Sequence, residues 1–183
     1  MGEEIEAKFR VTHPRRLRAR MRALGFEAGP RRREQNWLFD YPSETLAASG
    51  RLLRLRRSGS QWLLTFKGPR RAGRWKRRQE IETAVNGEAC RRLLERIGLR
   101  PVLRYARWRT LWRPRAAARG VVAWDETPIG ICLELEGPAR WIARTARALQ
   151  LGQPEPRTYP ELYGVKIPSA AAGRRPARGR GSG

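Results

Sequence analysis

The chain has two cysteines, one histidine and four lysines among its 183 residues, and no long uncharged run. Cys90 and Cys132 are too few and too far apart for a disulfide scaffold or a metal cage. His13 stands at a predicted helix start and is read there as a cap rather than a base. A Ser-His or Cys-His nucleophile pair is therefore not expected. The longest stretch free of Asp, Glu, Lys and Arg is nine residues, Ser58 to Phe66, against the ~18 that a membrane span requires. Charge begins at Glu3, so no secretory apolar region opens the sequence, and the expected location is cytoplasmic. No Gly-x-x-x-x-Gly-Lys-Ser/Thr loop is present, which excludes that way of cradling an anion. No repeat at solenoid spacing occurs.

Negative charge is the other scarcity. Forty basic residues face 17 acidic ones, for a net charge of +23. Such a balance calls for an anionic partner or gives adhesion to polyanions. Of the 40 bases 36 are arginines, a bias that fits a genome favouring Arg codons. The lysines (Lys8, Lys67, Lys76 and Lys166) are correspondingly more informative.

The length predicts one domain over residues 1–168, followed by an Ala/Gly/Arg-rich tail over 169–183 expected to be disordered. Alternating or compact apolar runs predict strands within the first ten residues and over 35–41, 51–57, 61–67, 79–85, 103–112, 120–125 and 131–136. Ser58-Gly59-Ser60 reads as a hairpin turn. Helices are expected after Pro14, after Asn86 and after Pro138, with a short helical turn near 43–48 and an aromatic segment at 159–163. The Arg face of the first helix (Arg15, Arg16, Arg18, Arg20, Arg22) reads as a solvated surface. The 68–77 segment reads as a basic loop. The fold class is α+β, dominated by an antiparallel sheet, and eight strands suffice to close a barrel with helices packed outside.

Acidic residues concentrate on strand faces. The first strand sets Glu4, Glu6 and Lys8 on one side and Ile5, Ala7 and Phe9 on the other. The Glu-x-Glu spacing recurs at Glu80/Glu82 and Glu134/Glu136, with Ile or Leu between the acids each time. Chance alone supplies about 1.6 such pairs at this composition, so the apolar residue between them carries more than the count. Bases follow the same pattern: Arg54 and Arg56 flank Leu55, Lys67 follows Phe66, and Arg107 and Arg109 flank Trp108. If these faces converge, the barrel interior is charged and must hold water, because unpaired buried ions cost several kcal/mol each. A polyphosphate with Mg²⁺ or Mn²⁺ suits such a lumen: carboxylates for the metal, Arg and Lys for phosphate oxygens.

Six ordered segments resemble the motifs of the CYTH family, the triphosphate tunnel metalloenzymes. They are Glu4-Ile-Glu-Ala-Lys-Phe9, Arg51-Leu-Leu-Arg-Leu-Arg56, Thr65-Phe-Lys67, Arg78-Gln-Glu-Ile-Glu82, Arg107-Trp-Arg109 and Glu134-Leu-Glu136, across residues 3–165. Arg104-Tyr105, Asp125-Glu-Thr-Pro-Ile-Gly130 and Glu134-Leu-Glu-Gly137 further resemble bacterial members of the class IV adenylate cyclase type. The resemblance implies an eight-stranded antiparallel tunnel barrel. It implies metal binding by Glu4, Glu6, Glu134 and Glu136. It assigns phosphate to Lys8, Arg54, Arg56, Lys67, Arg107 and Arg109. Glu80, Glu82 and Lys8 form the implied catalytic set, the two glutamates near a second metal or the attacking water. Arg107 departs from the family, which usually has Lys there, and a planar fork binds phosphate differently from a point charge.

The implied activity is a metal-dependent enzyme acting on tripolyphosphate, thiamine triphosphate or a nucleoside triphosphate. Water as nucleophile gives a triphosphatase. A ribose 3′-hydroxyl gives an adenylate cyclase releasing cAMP and pyrophosphate. A non-catalytic polyphosphate or nucleic-acid binding module is the alternative of another class. Six glutamates facing an anion argue for a metal and against that module. Arg70, Arg71, Arg74, Lys76, Arg77 and Arg78 around Trp75 are read as a rim that steers polyanions, with nucleic acid only a non-specific contact. The tryptophans Trp62, Trp108 and Trp124 are expected outside the barrel, against helices.

Overall fold

A computed structural model describes residues 2–71, 73–115 and 119–164 of the chain. The tail over 169–183 and Lys166 lie outside the described residues. Eight strands form: β1 (Gly2–Arg10), β2 (Phe26–Asp40), β3 (Leu52–Ser58), β4 (Gln61–Lys67), β5 (Lys76–Ala84), β6 (Arg100–Pro114), β7 (Val121–Thr127) and β8 (Gly130–Glu136). They close into a barrel in the order β1-β5-β4-β3-β2-β6-β7-β8, every pairing antiparallel. The helices are α1 (Pro14–Ala23), α2 (Thr45–Ala48), α3 (Gly87–Arg96), α4 (Ala139–Ala148) and α5 (Tyr159–Leu162). The α+β barrel expected from the sequence is the fold.

Because the inward faces are charged, the apolar cores lie outside the barrel. Ala7, Phe9, Trp124, Leu133 and Leu135 on the outer strand faces pack with Leu17 and Met21 of α1 and Ile142 of α4. On another side, Phe39 and Leu55 pack with Cys90 and Leu94 of α3. Each full burial of such a side chain is worth ~1.5–3 kcal/mol, so the helices hold the barrel wall rather than fill it. Trp62 and Trp124 lie in these outer clusters, as expected, and Trp62 stacks on Trp37 with centroids 5.2 Å apart. Gly87 lets α3 begin against Trp62, since a Cβ there would fall on the indole ring. The Asn86 side chain caps that helix by accepting from the Ala89 amide at 3.1 Å. Gly59, at φ 61°, turns the β3–β4 hairpin.

Several local readings are corrected. β2 starts at Phe26 rather than Gln35. Gly29-Pro30 followed by three arginines resembles a turn, but the long β6 opposite supplies a partner and a register shift between Ala28 and Arg31 accommodates the proline. β5 starts at Lys76, inside the predicted loop. His13 occupies the N-cap position of α1 but its side chain makes no capping bond. The Arg face of α1 is partly committed: Arg18 pairs with Glu126 at 2.7 Å and lies over Trp124, while Arg20 donates to the Leu149 carbonyl. The basic loop is also not a free rim. Arg70 pairs with Glu161, Arg71 with Glu3, and Trp75 is buried in the larger apolar cluster. No helix among the described residues is long and apolar enough to cross a membrane.

Candidate functional site

All twelve charged residues singled out in the sequence line one cavity of about 170 Å³ in the barrel lumen. β1 contributes Glu4, Glu6 and Lys8; β3 Arg54 and Arg56; β4 Lys67; β5 Glu80 and Glu82; β6 Arg107 and Arg109; β8 Glu134 and Glu136. Strand register does the assembling. Lys8 lies opposite Glu134, Lys67 opposite Glu80, Glu34 opposite Arg107, and Arg109 opposite Asp125. Directly opposed residues share a face, so each opposite-charge pair favours the register that turns it inward.

The resulting ion pairs are short. Lys67 Nζ bridges Glu4 at 2.6 Å and Glu80 at 2.7 Å. Arg56 reaches Glu82 at 3.1 Å, and Lys8 reaches Glu134 at 3.4 Å. Arg109 contacts both Glu134 and, at 3.7 Å, Glu136. Seven cations against six carboxylates line the cavity, so the lumen is close to neutral by itself.

Five further residues complete the lumen and escaped the sequence reading as site residues. Asp125, fully buried, accepts from Arg107 Nη1 at 2.9 Å and from Arg109 Nε at 2.6 Å. Glu34 accepts from Arg107 Nε at 2.8 Å. Arg78 lies 3.5 Å from Glu4. Tyr105 and Tyr159 line the cavity, and the Tyr159 ring sits 3.7 Å from Lys8 Nζ while its hydroxyl donates to Asp125. The tunnel aromatics are thus tyrosines, not the tryptophans. The segments that carry the family resemblance include Arg78, Tyr105 and Asp125, and the aromatic run at 159–163 includes Tyr159, without assigning them to the site; Glu34, a lone acid, carries no spacing signal.

Proton affinities record the field in the lumen. Burial raises that of Glu34, but Arg107, Arg109 and Arg56 overcome it and bring the pKa to about 2. Glu134 is also buried, yet Lys8, Arg109 and Arg107 hold it well below the usual carboxylate range. Glu136 goes the other way. Burial, with the Glu134, Glu6 and Glu4 carboxylates, pushes it up to about 7 against the pull of Arg109. Its side chain nevertheless keeps 30% of its accessible surface. Lys76 is lowered to about 8 by burial and by Lys8.

The donor chemistry fits a divalent cation. Glu6 lies directly opposite Glu136 across β1 and β8, and like charges in that position repel. Burial is the largest cause of the raised pKa of Glu136, and the neighbouring Glu134, Glu6 and Glu4 carboxylates add to it. Oxygen donors of this kind suit Mg²⁺ or Mn²⁺. Among the described residues no three acidic, His or Cys side chains are gathered closely enough to hold an ion.

The lumen continues into a second chamber of about 580 Å³. Arg56 and Arg109 line both spaces, and Glu34 lines the chamber. Ala28, Pro30, Leu63 and Leu111 give the chamber an apolar wall, with Arg32 and Arg113 among its polar residues. The other end meets α5, where Thr158, Tyr159 and Pro160 line the cavity.

Sequence comparison agrees with this geometry: the CYTH domain matches residues 2–151. The chain belongs to the CYTH family. The charged lumen is therefore the triphosphate tunnel of a CYTH domain. Solved structures share the fold at low identity. A protein of Vibrio parahaemolyticus, provisionally named an adenylate cyclase, superposes with a TM-score of 0.77 at 21% identity over 88% of this chain and 97% of its own. A Bacillus halodurans protein with the same provisional name gives 0.64 at 15% identity, over 88% and 98%. A Hippeastrum protein, provisionally named an adenylyl cyclase and described as having a dominant triphosphatase activity, gives 0.67 at 16% identity, over 88% and 95%. No curated protein matches the chain.

Proposed function

We propose that this CYTH protein is a divalent-metal-dependent triphosphatase, with the reaction inside the barrel. The observation that carries the reading is the convergence of all twelve motif charges on one cavity. Lys8, Arg54, Arg56, Lys67, Arg107 and Arg109 bind the phosphate oxygens. The Nε groups of Arg54 and Arg56 are buried and have no protein hydrogen-bond partner, so they are donors still to be used. Family membership and the triphosphatase activity of the Hippeastrum protein support the same reading.

Near-neutrality of the lumen gives the metal its place. A triphosphate that takes the arginines and lysines releases six glutamates from their partners, and a metal offsets that charge. Glu4, Glu6, Glu134 and Glu136 are the residues that would hold it. When bound, such an ion supplies Lewis-acid neutralisation of charge on the transferred phosphoryl group. Glu80 and Glu82 orient the attacking water, and Glu82 is itself fixed by the Thr65 hydroxyl at 2.6 Å. Lys8, held between Glu134 and the Tyr159 ring, neutralises the phosphate that leaves. Asp125 and Glu34 position Arg107 and Arg109, which fixes the cationic wall before substrate arrives.

The second chamber favours a second reading, an organic triphosphate such as ATP. On that reading cyclisation to cAMP by an adenylate cyclase is the competing outcome. Incubation with tripolyphosphate, thiamine triphosphate and ATP, with Mg²⁺ or Mn²⁺, separates the cases. Orthophosphate release supports hydrolysis, cAMP with pyrophosphate supports the cyclase, and binding without turnover leaves a binding module.

A further inference from the structure

Asn36 is 1% exposed, and neither its amide nitrogen nor its amide oxygen has a hydrogen-bond partner among the described residues. It lies on β2 two residues from Glu34 and two from Leu38, which line the chamber and the cavity respectively. Strand alternation therefore points it into the barrel. Its directly opposed residues are Arg56 on β3 and Tyr105 on β6, and both line the cavity. Leu38 lies opposite Arg54, and Glu34 opposite Arg107. Asn36 thus sits inside the cationic wall, beside Arg54 and Arg56 with their own unspent Nε groups.

Leaving a buried amide without hydrogen-bond partners costs its full desolvation penalty. A leucine of similar shape would avoid that cost, and nothing in the outer apolar cores requires an amide on this face. The amide is also uncharged, so it adds a donor without adding to the crowd of guanidinium groups. Its chemistry matches the common target of the two neighbouring unspent donors, an oxygen of the bound polyphosphate.

We propose that Asn36 is a substrate-binding residue whose amide N–H donates to a phosphate oxygen of the bound triphosphate. This rests on the reading of the lumen as a triphosphate site. Tripolyphosphate, without metal, is the probe, titrated by calorimetry onto the full chain and its variants. Asn36→Leu should weaken binding about tenfold or more, as loss of a bond to a charged group does. Its ligand-free melting temperature should stay level or rise, because the unsatisfied amide is gone. Asn36→Asp keeps the shape, replaces the donor with a charge that pairs with Arg56, and should weaken binding further while remaining folded. A structural amide gives the opposite pattern, a lower melting temperature with binding intact, and overturns the proposal. So does wild-type affinity in Asn36→Asp. Arg54→Ala in the same series separates two failures. If it weakens binding and both Asn36 variants do not, only this inference falls. If all three bind normally, the triphosphate reading falls with it.

Discussion

Arg109 and Asp125 meet in a two-point ion pair, Nε to Oδ1 and Nη2 to Oδ2, both at 2.6 Å, with the Asp125 side chain fully buried. The same carboxylate accepts from Arg107 and from the Tyr159 hydroxyl. One acid on β7 therefore orients two tunnel arginines on β6 and ties down α5. Asp125→Asn keeps the shape but removes the charge. It is expected to lower kcat/KM about 100-fold, since a two-point charged pair is worth ~3 kcal/mol in positioning. Asp125→Ala strands two guanidinium groups and should also lower stability by ~3–5 kcal/mol in a denaturant titration. Wild-type kinetics in Asp125→Asn would mean the arginines hold their place without it.

Glu4 accepts from Lys67 at 2.6 and 2.8 Å. Glu4→Gln is expected to abolish metal-dependent turnover. Binding of tripolyphosphate without metal should be kept or tightened, because Lys67 is freed from one of its two carboxylates and keeps only Glu80. Undiminished turnover with Mg²⁺ or Mn²⁺ would discard the metal role of Glu4.

Acid stability follows from Glu34. Burial raises its pKa, but the surrounding arginines bring it to about 2. An unfolded chain has Glu near its ordinary ~4.3. A depressed folded pKa stabilises the fold fully above the unfolded value, and that contribution is lost as pH falls from about 4.3 through about 2. The wild type should lose on the order of 3 kcal/mol across that window from this residue. Glu34→Gln should be less stable at pH 7 and show a shallower acid limb. Parallel curves for the two proteins would remove Glu34 from the account.

The twelve motif charges were legible because strand alternation exposes them at every second position around an apolar residue. Glu34 was not, and Asp125 was marked only within its resemblance segment, since the role of each depends on a partner set opposite by register. Asn36 was invisible for the same reason: its meaning depends on Arg56 and Tyr105 lying across from it. The first half of β2 was missed because Glu27 to Arg33 are exposed, so no apolar face marks the strand. Trp62 and Trp124 lie in the outer clusters as expected, but Trp108 is 39% exposed and lies under Arg31 rather than against a helix. Arg18 and Arg70 looked solvated because their partners are distant in sequence.

Arg107, at the position where the resemblance implies lysine, serves two partners. Nε goes to Glu34 and Nη1 to Asp125, in two directions that a single ammonium cannot serve together. Arg107→Lys should keep the charge but raise KM for tripolyphosphate several-fold and lower the melting temperature. If Arg107→Lys matches wild type in both, the two-partner geometry has no consequence at this position.

Leu111 decides whether the second chamber takes part of the substrate. It follows Arg107 and Arg109 on the inward face of β6 and lines the chamber beside Leu63 and Pro30. On the proposed reading tripolyphosphate would occupy the charged cavity, and it has no organic group to place in the chamber. ATP or thiamine triphosphate, with its phosphates on Arg56 and Arg109, would extend into the chamber those two arginines share. Leu111→Trp narrows the chamber and leaves every charged residue of the cavity in the sequence. It should raise KM for the organic triphosphates by about tenfold or more, equivalent to at least ~1.4 kcal/mol, while tripolyphosphate hydrolysis stays within about twofold of wild type. Equal losses on all three substrates would mean the tryptophan disturbs the lumen itself. No loss on any of them would leave the chamber outside the substrate's path, and inorganic tripolyphosphate would become the favoured substrate.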